Sequence, residues 1–367
     1  MSRKFDKNTK KISPAFLPVL ALLLAVLLYP VCRWLGAVFT PALGRALLLV
    51  LTVLGASTVM SYMMSTGALR SVLHGIGEFF YPLFLTALPL LLAADAVFYL
   101  GVEVEPRRAL LILAAVFVPM AAAGLYEGLG LKVRRYTARI PGAEPCRLVL
   151  VSDLHLGFFT PGSLTEALTD AVLRERPDAV ILAGDMFDDR FESIPERRRE
   201  KIAAGLKRLS SAVPVYGCEG NHDLLTDDPR KDAFLAGCGI KMLYDEAVTE
   251  HGIRFVFRRD VKNGARADAD TVYPDDGSPC VTVDHNPSAH REAWAHGAAL
   301  VLSGHTHGGQ TFPGSLIYKI RRVRGYGFIR EGEKQLAVTA GAGIYGCPIR
   351  LGAAREIAVI ECVSDGR

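Results

Sequence analysis

The 367-residue sequence predicts an α/β domain built on a mostly central sheet, preceded by an all-α membrane region of about four helices. Three observations predict it. Half of the residues are hydrophobic, and the excess sits almost wholly before residue 130. From about residue 143 the pattern becomes strand, loop and helix, with turns and charges at ordinary density. Several of those strands then run into the same kind of short polar turn.

The apolar part comes first along the chain. Uncharged or nearly uncharged stretches run over Ile12–Cys32, Ala46–Leu69, Phe79–Val102 and Ala109–Tyr126. Each approaches the roughly 20 residues needed to cross the hydrocarbon core. A cleaved signal peptide competes for the first stretch, but that run is long, lacks a small-residue cleavage site and is followed by three more. Residues 1–130 therefore read as a multi-span region, 131–146 as a linker and 147–367 as a globular domain. Arg3, Lys4, Lys7, Lys10 and Lys11 precede the first span, and Lys132, Arg134, Arg135 and Arg139 follow the last. An even number of spans puts both groups on one side, and the positive-inside rule makes that side the cytoplasm. The opposing loops carry fewer charges, Arg45, Arg107 and Arg108. Asp95 reads either as a functional intramembrane carboxylate or as a solvated residue near a span end.

The net charge of +4 is small for this length and argues against a dedicated nucleic-acid binder. The seven cysteines show no C-x-x-C and no spacing coupled to histidine, so they read as reduced and structural.

Some 220 residues of globular chain can bury a full core. Candidate strands are Leu148–Val151, Ala179–Ala183, Val213–Cys218, Cys280–Val283, Ala299–Leu302, Gln335–Thr339 and Glu356–Cys362. Ser163–Arg176 and Glu196–Leu209 have helical spacing and stop before Pro177 and Pro214. The first strand runs straight into S-D-L-H-L-G, and residues i and i+2 of an extended segment point the same way. Asp153 and His155 would then leave the strand as neighbours. Four later strands end alike: G-D-M-F-D-D with Asp185 and Asp188, E-G-N-H-D with Asn221, His222 and Asp223, D-H-N-P with His285, and S-G-H-T-H-G-G-Q with His305 and His307. Each motif alone has a bland explanation as a turn, a cap or a core histidine. Five bland explanations at five strand ends are jointly improbable, because ligands of open α/β sheets gather at the carboxyl ends of strands.

Asp153, His155, Asp185, Asn221, His285, His305 and His307 supply seven oxygen or imidazole ligands and no thiolate. One four-ligand site would be over-supplied, whereas two metals sharing a bridging carboxylate would each receive four. Mixed N/O shells suit Mn, Fe or Zn better than Ca or Mg. Two metals about 3.5 to 4 Å apart can hold a hydroxide and clamp an in-line displacement at phosphorus. Phosphoester hydrolysis is the natural reaction of such an inventory. Gly184, Gly220, Gly304, Gly308 and Gly309 flank the ligands, where backbone must turn tightly or approach closely.

With these residues in view, the chain resembles the calcineurin-like metallophosphoesterases over residues 147–363. The five motifs stand in order: D-L-H at Asp153, G-D-M-F-D at Gly184, G-N-H-D at Gly220, His285, and G-H-T-H at Gly304. The bacterial membrane-anchored branch is the nearer likeness, through D-H-x-P, S-G-H-T-H-x-G-Q and the late G-A-G-I-Y-G-C-P-I-R of Gly341–Arg350. The resemblance implies a two-sheet sandwich flanked by helices and makes 147–367 a catalytic domain. It implies one metal on Asp153, His155, Asp185 and His307, and another on Asp185, Asn221, His285 and His305, with Asp185 bridging. It further implies that His222 meets the phosphate and the leaving oxygen, oriented by Asp188. The branch includes proteins assigned as UDP-2,3-diacylglucosamine pyrophosphatases, so a phosphorylated small molecule or a lipid-linked phosphoester at the bacterial inner membrane is the implied substrate. The alternative is a membrane sensor or scaffold that binds metal without turnover, whose signature would be a broken motif; none is broken.

Cys218 and Glu219 depart from the apolar residues usual before the asparagine motif, and the polar connection 261–280 has no clear counterpart. His74, His251, His290 and His296 follow no strand-end motif and read as structural or solvated. Arg258, Arg259 and Asp260 fall at a strand and have no assigned role. Lys319, Arg321, Arg322 and Arg324 read as a solvated basic face or as a rim for anionic groups, and Arg350 as a near-site contact.

Overall fold

The computed structural model describes residues 17–63, 68–158, 160–188, 191–225, 228–273, 276–311, 314, 316 and 325–364. The basic head at residues 3–11 and the basic segment at residues 319–324 lie outside the described residues. The chain divides into two compact units, Met1–Ala122 and Ala123–Arg367.

The first unit holds α1 (Leu17–Val38), α2 (Pro41–Met63), α3 (Ala68–Tyr99) and most of α4 (Pro106–Leu129). Two of its helical stretches, Leu69–Tyr99 and Pro106–Leu129, are long and apolar enough to cross a membrane. Asp95 is buried, unlike the solvated residue that the sequence allowed, because Arg33 of α1 reaches across to it at 2.6 Å. The same guanidinium lies over Trp34, Phe98 and Tyr99, which cover a charge pair that would otherwise face apolar surroundings.

In the second unit two six-stranded mixed sheets form. The strands are β1 (Leu131–Arg139), β2 (Cys146–Val151), β3 (Ala179–Ala183), β4 (Val215–Cys218), β5 (Lys241–Met242), β6 (Glu246–Glu250), β7 (Ile253–Phe257), β8 (Cys280–Val283), β9 (Leu300–Ser303), β10 (Gly327–Glu331), β11 (Lys334–Val338) and β12 (Arg355–Val363). One sheet runs β1-β12-β2-β3-β4-β5 and the other β10-β11-β9-β8-β7-β6. The stretch expected as a linker thus contains a strand. Lys132, Arg134, Arg135 and Arg139 make β1 look like solvated linker in the sequence, yet it pairs in parallel along all nine residues with β12.

Alternation along the strands makes the layers. Leu148 and Leu150 of β2 and Ile181 of β3 join Phe255, Phe257, Val281, Val283, Leu300 and Leu302 in a core that draws on both sheets. Val149, Val151, Val180 and Leu182 point the other way. They pack with Leu168 and Val172 of α5 (Leu164–Arg174), Ile202, Leu206 and Leu209 of α6 (Glu196–Ala212), and Leu235 beyond β4. Val256, Val301, Leu336 and Val338 carry a third cluster with Tyr273 and Trp294. Parallel strands buried on both faces explain why β2, β3, β8 and β9 read as short continuous apolar runs.

Candidate active site

The site forms where β2, β3 and β4 of one sheet and β8 and β9 of the other come to their carboxyl ends. The D-L-H pair does not reach it by extended geometry. β2 ends at Val151, and Asp153 and His155 adopt left-handed backbone, φ 53° and 46°. Asp185, His305 and His307 do the same at 53°, 74° and 49°. Such conformations cost a residue with a Cβ roughly 1–2 kcal/mol each, and they gather where structure is held for function. Here the tight turns bring side chains back over the ends of their own strands. Leu154 and Leu156 keep the segment anchored in the core between the two polar residues.

Two of these turns are zipped together. Asp153 N–H donates to Gly184 O at 3.0 Å, His155 N–H to Asp185 O at 3.1 Å and Leu156 N–H to Met186 O at 2.9 Å. Asp223, whose role the sequence left open, accepts from the backbone N–H groups of Met186, Phe187 and Gly220 at 3.2, 3.0 and 2.9 Å. It locks the G-D-M-F turn to the G-N-H turn. Gly220 must be glycine there, since a Cβ would lie 2.2 Å from Asp185 Oδ1. At Gly304 a Cβ would meet Ser152 Oγ and Asp153 Oδ2 at 2.2 and 2.4 Å.

Three groups of metal-competent side chains result: Asp153 with His155 and His307, Asp185 with His285 and His305, and His155 with Asp188 and His222, of which the first two consist of the proposed ligands. His155 Nε2 and His307 Nε2 stand 3.1 Å apart, with Asp153 Oδ1 3.8 and 3.5 Å from them. Asp185 Oδ2 is 3.0 Å from His285 Nε2 and 3.9 Å from His155 Nε2, so it stands beside both groups. His285 donates through Nδ1 to Ala183 O at 2.8 Å, which turns Nε2 inward. Asn221 Oδ1 is buried and finds no hydrogen-bond partner among the described residues.

Asp188 Oδ1 lies 3.2 Å from His155 Nδ1 and 3.0 Å from His222 Nδ1. The structure therefore places Asp188 beside His222 and adds a contact that the sequence missed, to His155. Arg350 reaches the site, with its guanidinium 3.4 Å from His307 Nδ1. Tyr345 also escaped the sequence reading, although the glycines around it in G-A-G-I-Y-G marked a tight loop. Its ring centroid stands 4.7 to 5.3 Å from those of His155, His222 and His307.

Charge explains what the pocket is short of. Burial alone would raise Asp153, but His307, His155 and His285 outweigh it and hold the carboxyl well below the usual range. Burial opposes the ionisation of Asp185 and Asp188 too; His285 and His155 hold the first at about 2, and His155 and His222 keep the second lower still. Burial would lower His155 and His285, yet the adjoining aspartates raise each to about 10. His307 falls to about 3 through burial first, then the charges of His155 and Arg350, and His305 is lowered by burial and His285. Three carboxylates thus stay ionised in a buried space where protons on histidines compensate them. A divalent cation is the species that replaces such protons. Together with the paired imidazole nitrogens and the orphaned Asn221 Oδ1, this donor set fits metal.

Comparison with known proteins agrees with this geometry. Residues 146–309 match the family model described as calcineurin-like phosphoesterase. An uncharacterized metallophosphoesterase of Helicobacter pylori is 28% identical over 249 residues, 65% of this chain and 66% of that protein. A Danio rerio transmembrane protein with metallophosphoesterase domain is 30% identical over 234 residues, 58% of this chain and 52% of that protein. Phosphodiesterase YaeI of Escherichia coli is 26% identical over 241 residues, covering 60% and 83%. The matched stretch thus spans about two thirds of the H. pylori relative and about half of the zebrafish one. Over residues 146–309 the chain is thus similar to the calcineurin-like phosphoesterases, and it has relatives that carry metallophosphoesterase and phosphodiesterase names.

Proposed function

We propose that the chain is a membrane-anchored hydrolase of phosphoester or pyrophosphate bonds that works with two divalent metal ions. The observation that carries this reading is the convergence of five strand ends on two adjoining donor groups with Asp185 beside both. Asp153, His155, Asp185 and His307 would hold one ion, and Asp185, Asn221, His285 and His305 the other. Mn, Fe or Zn fits the mixed oxygen and imidazole donors. Bound there, the ions would polarise the phosphoryl group and activate water for attack on phosphorus.

The chain's own residues do the rest. Asp188 fixes His155 and His222 through their Nδ1 atoms, which leaves His222 Nε2 as the atom to meet the leaving oxygen. A proton given there neutralises the charge that grows as the bond to phosphorus breaks. Asp223 keeps Asn221 and Asp185 in register by bracing the backbone of both turns. Asp153, His155, Asp185 and His285 are buried, while Asn221, His222 and His305 are half-buried at the side from which a substrate would enter.

Helices long and apolar enough to span a bilayer stand in the same chain, and a relative's name includes "transmembrane". They support a membrane-anchored enzyme and so a lipid-linked substrate, UDP-2,3-diacylglucosamine being one of that chemistry; four spans and a cytoplasmic face at a bacterial inner membrane rest on the apolar stretches and flanking basic residues of the sequence alone. The name of the E. coli relative favours a diester.

The test uses the purified full chain in detergent with Mn, assayed on bis-p-nitrophenyl phosphate beside Asp185→Asn and His222→Ala. The parent should turn over and both variants should fall by about 10² or more, the usual scale for a lost acid or charge-stabilising group. A parent with metal bound and no turnover would leave the metal-binding sensor as the better reading. Equal turnover in all three would refute the residue roles.

A further inference from the structure

The late glycine loop, Gly341–Arg350, is laid directly on the segment that carries Asp153 and His155. Ala342 N–H donates to Ser152 O at 2.9 Å and Gly343 N–H to Asp153 O at 3.0 Å. A Cβ on Gly343 would lie 2.1 Å from Leu154 O, and one on Gly341 2.7 Å from Asp153 Cβ, so only glycine permits the approach. The loop is held from the other side as well. The buried Gln310 amide donates to Tyr345 O at 2.8 Å and Cys347 O at 3.3 Å. The buried Arg350 guanidinium donates to Ala340 O at 2.5 Å and Gly343 O at 3.3 Å, and Arg350 N–H to Gly124 O at the end of α4 at 2.9 Å.

All of this fixes Tyr345. Its half-buried ring lies nearly parallel to His307, with centroids 5.3 Å apart and planes at 22°. It stands 4.7 Å from His155 and, edge to face, 5.2 Å from His222. One wall of the space around these three imidazoles is therefore a rigid aromatic ring rather than a cation or a hydrogen-bonding amide. Apart from the core anchors Leu154 and Leu156, the other side chains described above at the site are polar.

We infer that Tyr345 sets the substrate class, selecting phosphorus that carries two organic or anhydride substituents over a terminal phosphate monoester. This rests on the hydrolase reading above. A monoester is close to a dianion at neutral pH, because its second ionisation lies near pH 6. Its extra anionic oxygen would face the negative π surface of the ring and lose hydration without gaining a donor. In a diester or a pyrophosphate that position belongs to a substituent. The substituent leaves one negative charge fewer on the reacting phosphorus, and a flat or apolar group gains the ring contact. His222 and Asp188 remain the proton-handling groups; Tyr345 chooses which ester reaches them.

The experiment compares kcat/KM for bis-p-nitrophenyl phosphate and p-nitrophenyl phosphate in the full chain with Mn, for the parent, Tyr345→Ala and Tyr345→Phe, with bound metal counted in each. The parent should prefer the diester. Tyr345→Ala should cut the diester-to-monoester ratio about tenfold, ~1.4 kcal/mol, at unchanged metal content, while Tyr345→Phe keeps the ratio within about twofold. Should Tyr345→Ala fail to fold, Tyr345→Leu serves, since it removes the π surface while keeping bulk, and the same drop is expected. A parent active on both esters whose ratio survives in the variants overturns the inference alone. So does loss of metal in Tyr345→Ala, which would make the ring a prop for His307, or an equal drop in Tyr345→Phe, which would put selectivity in the hydroxyl. A metal-loaded parent inert on both esters removes the hydrolase reading and this inference with it.

Discussion

Asp153, His155, Asp185, His305 and His307 share a backbone that side chains rarely adopt, and all five lie at the donor groups. Strain of this kind persists only where neighbours over-determine it, and the neighbours here are the glycines and the backbone zipper between the D-L-H and G-D-M-F turns. Gly220→Ala tests that claim at a single atom. Its Cβ would stand 2.2 Å from Asp185 Oδ1 and 2.4 Å from Asp185 N, which no rotamer change relieves. Calorimetric titration with Mn should show affinity down by about 10- to 100-fold, the scale seen when groups supporting a ligand are disturbed; parent-like affinity would mean that the turn yields. Glu356 offers a test by pH. Burial raises its carboxyl, and Ala340 N–H and Arg134 offset this only in part. A carboxyl raised above its unfolded value contributes fully below the unfolded value and loses that contribution as pH rises through the folded one. Glu356→Gln should therefore raise the Tm at pH 8 and lose that advantage toward pH 4, and a gain that grew on acidification would contradict the assignment.

At the scale of elements, each sheet strand matters by where it stops. β2, β3, β8 and β9 were legible as apolar runs ending in polar turns. β1 was not, because its basic residues resemble a linker and its partner β12 lies more than two hundred residues away. The short edge strands β5, β6 and β10 escaped for a related reason: strands exposed on one face carry weak apolar signals, and pairing alone defines them. In the helical unit α1 and α3 are joined by Arg33 and Asp95 at 2.6 Å. Removing one partner of a buried pair strands the other charge, commonly for about 3 kcal/mol or more. Arg33→Ala should lower the thermal stability of the detergent-solubilised chain, and Arg33→Ala with Asp95→Ala should recover most of the loss. Equal losses in the single and double variants would show that the pair is not coupled.

For the whole molecule, orientation rests on charge counts at the ends of the helices. The four-span reading places both Met1 and Arg367 in the cytoplasm, so a reporter fused after Arg367 should be active only there. Activity on the other side of the membrane would demand an odd number of spans or the reverse insertion. The same reading makes activity depend on the second unit alone for its donors, since each proposed ligand lies between residues 153 and 307.

The sequence by itself determined the residue types of the site, their order, and the apolar runs that end in them, because local alternation and turn chemistry are properties of neighbours along the chain. It also determined the break in character near residue 130. Only the tertiary structure decided that three of the five strand ends come from one sheet and two from the other, and that Asp153 and His155 meet through left-handed turns rather than along an extended strand. It alone set Asp188 against His155 and Tyr345 against three histidines. Those contacts join residues far apart in sequence, and no local pattern encodes them. They exist because two sheets bury a shared core and carry their carboxyl ends to one place.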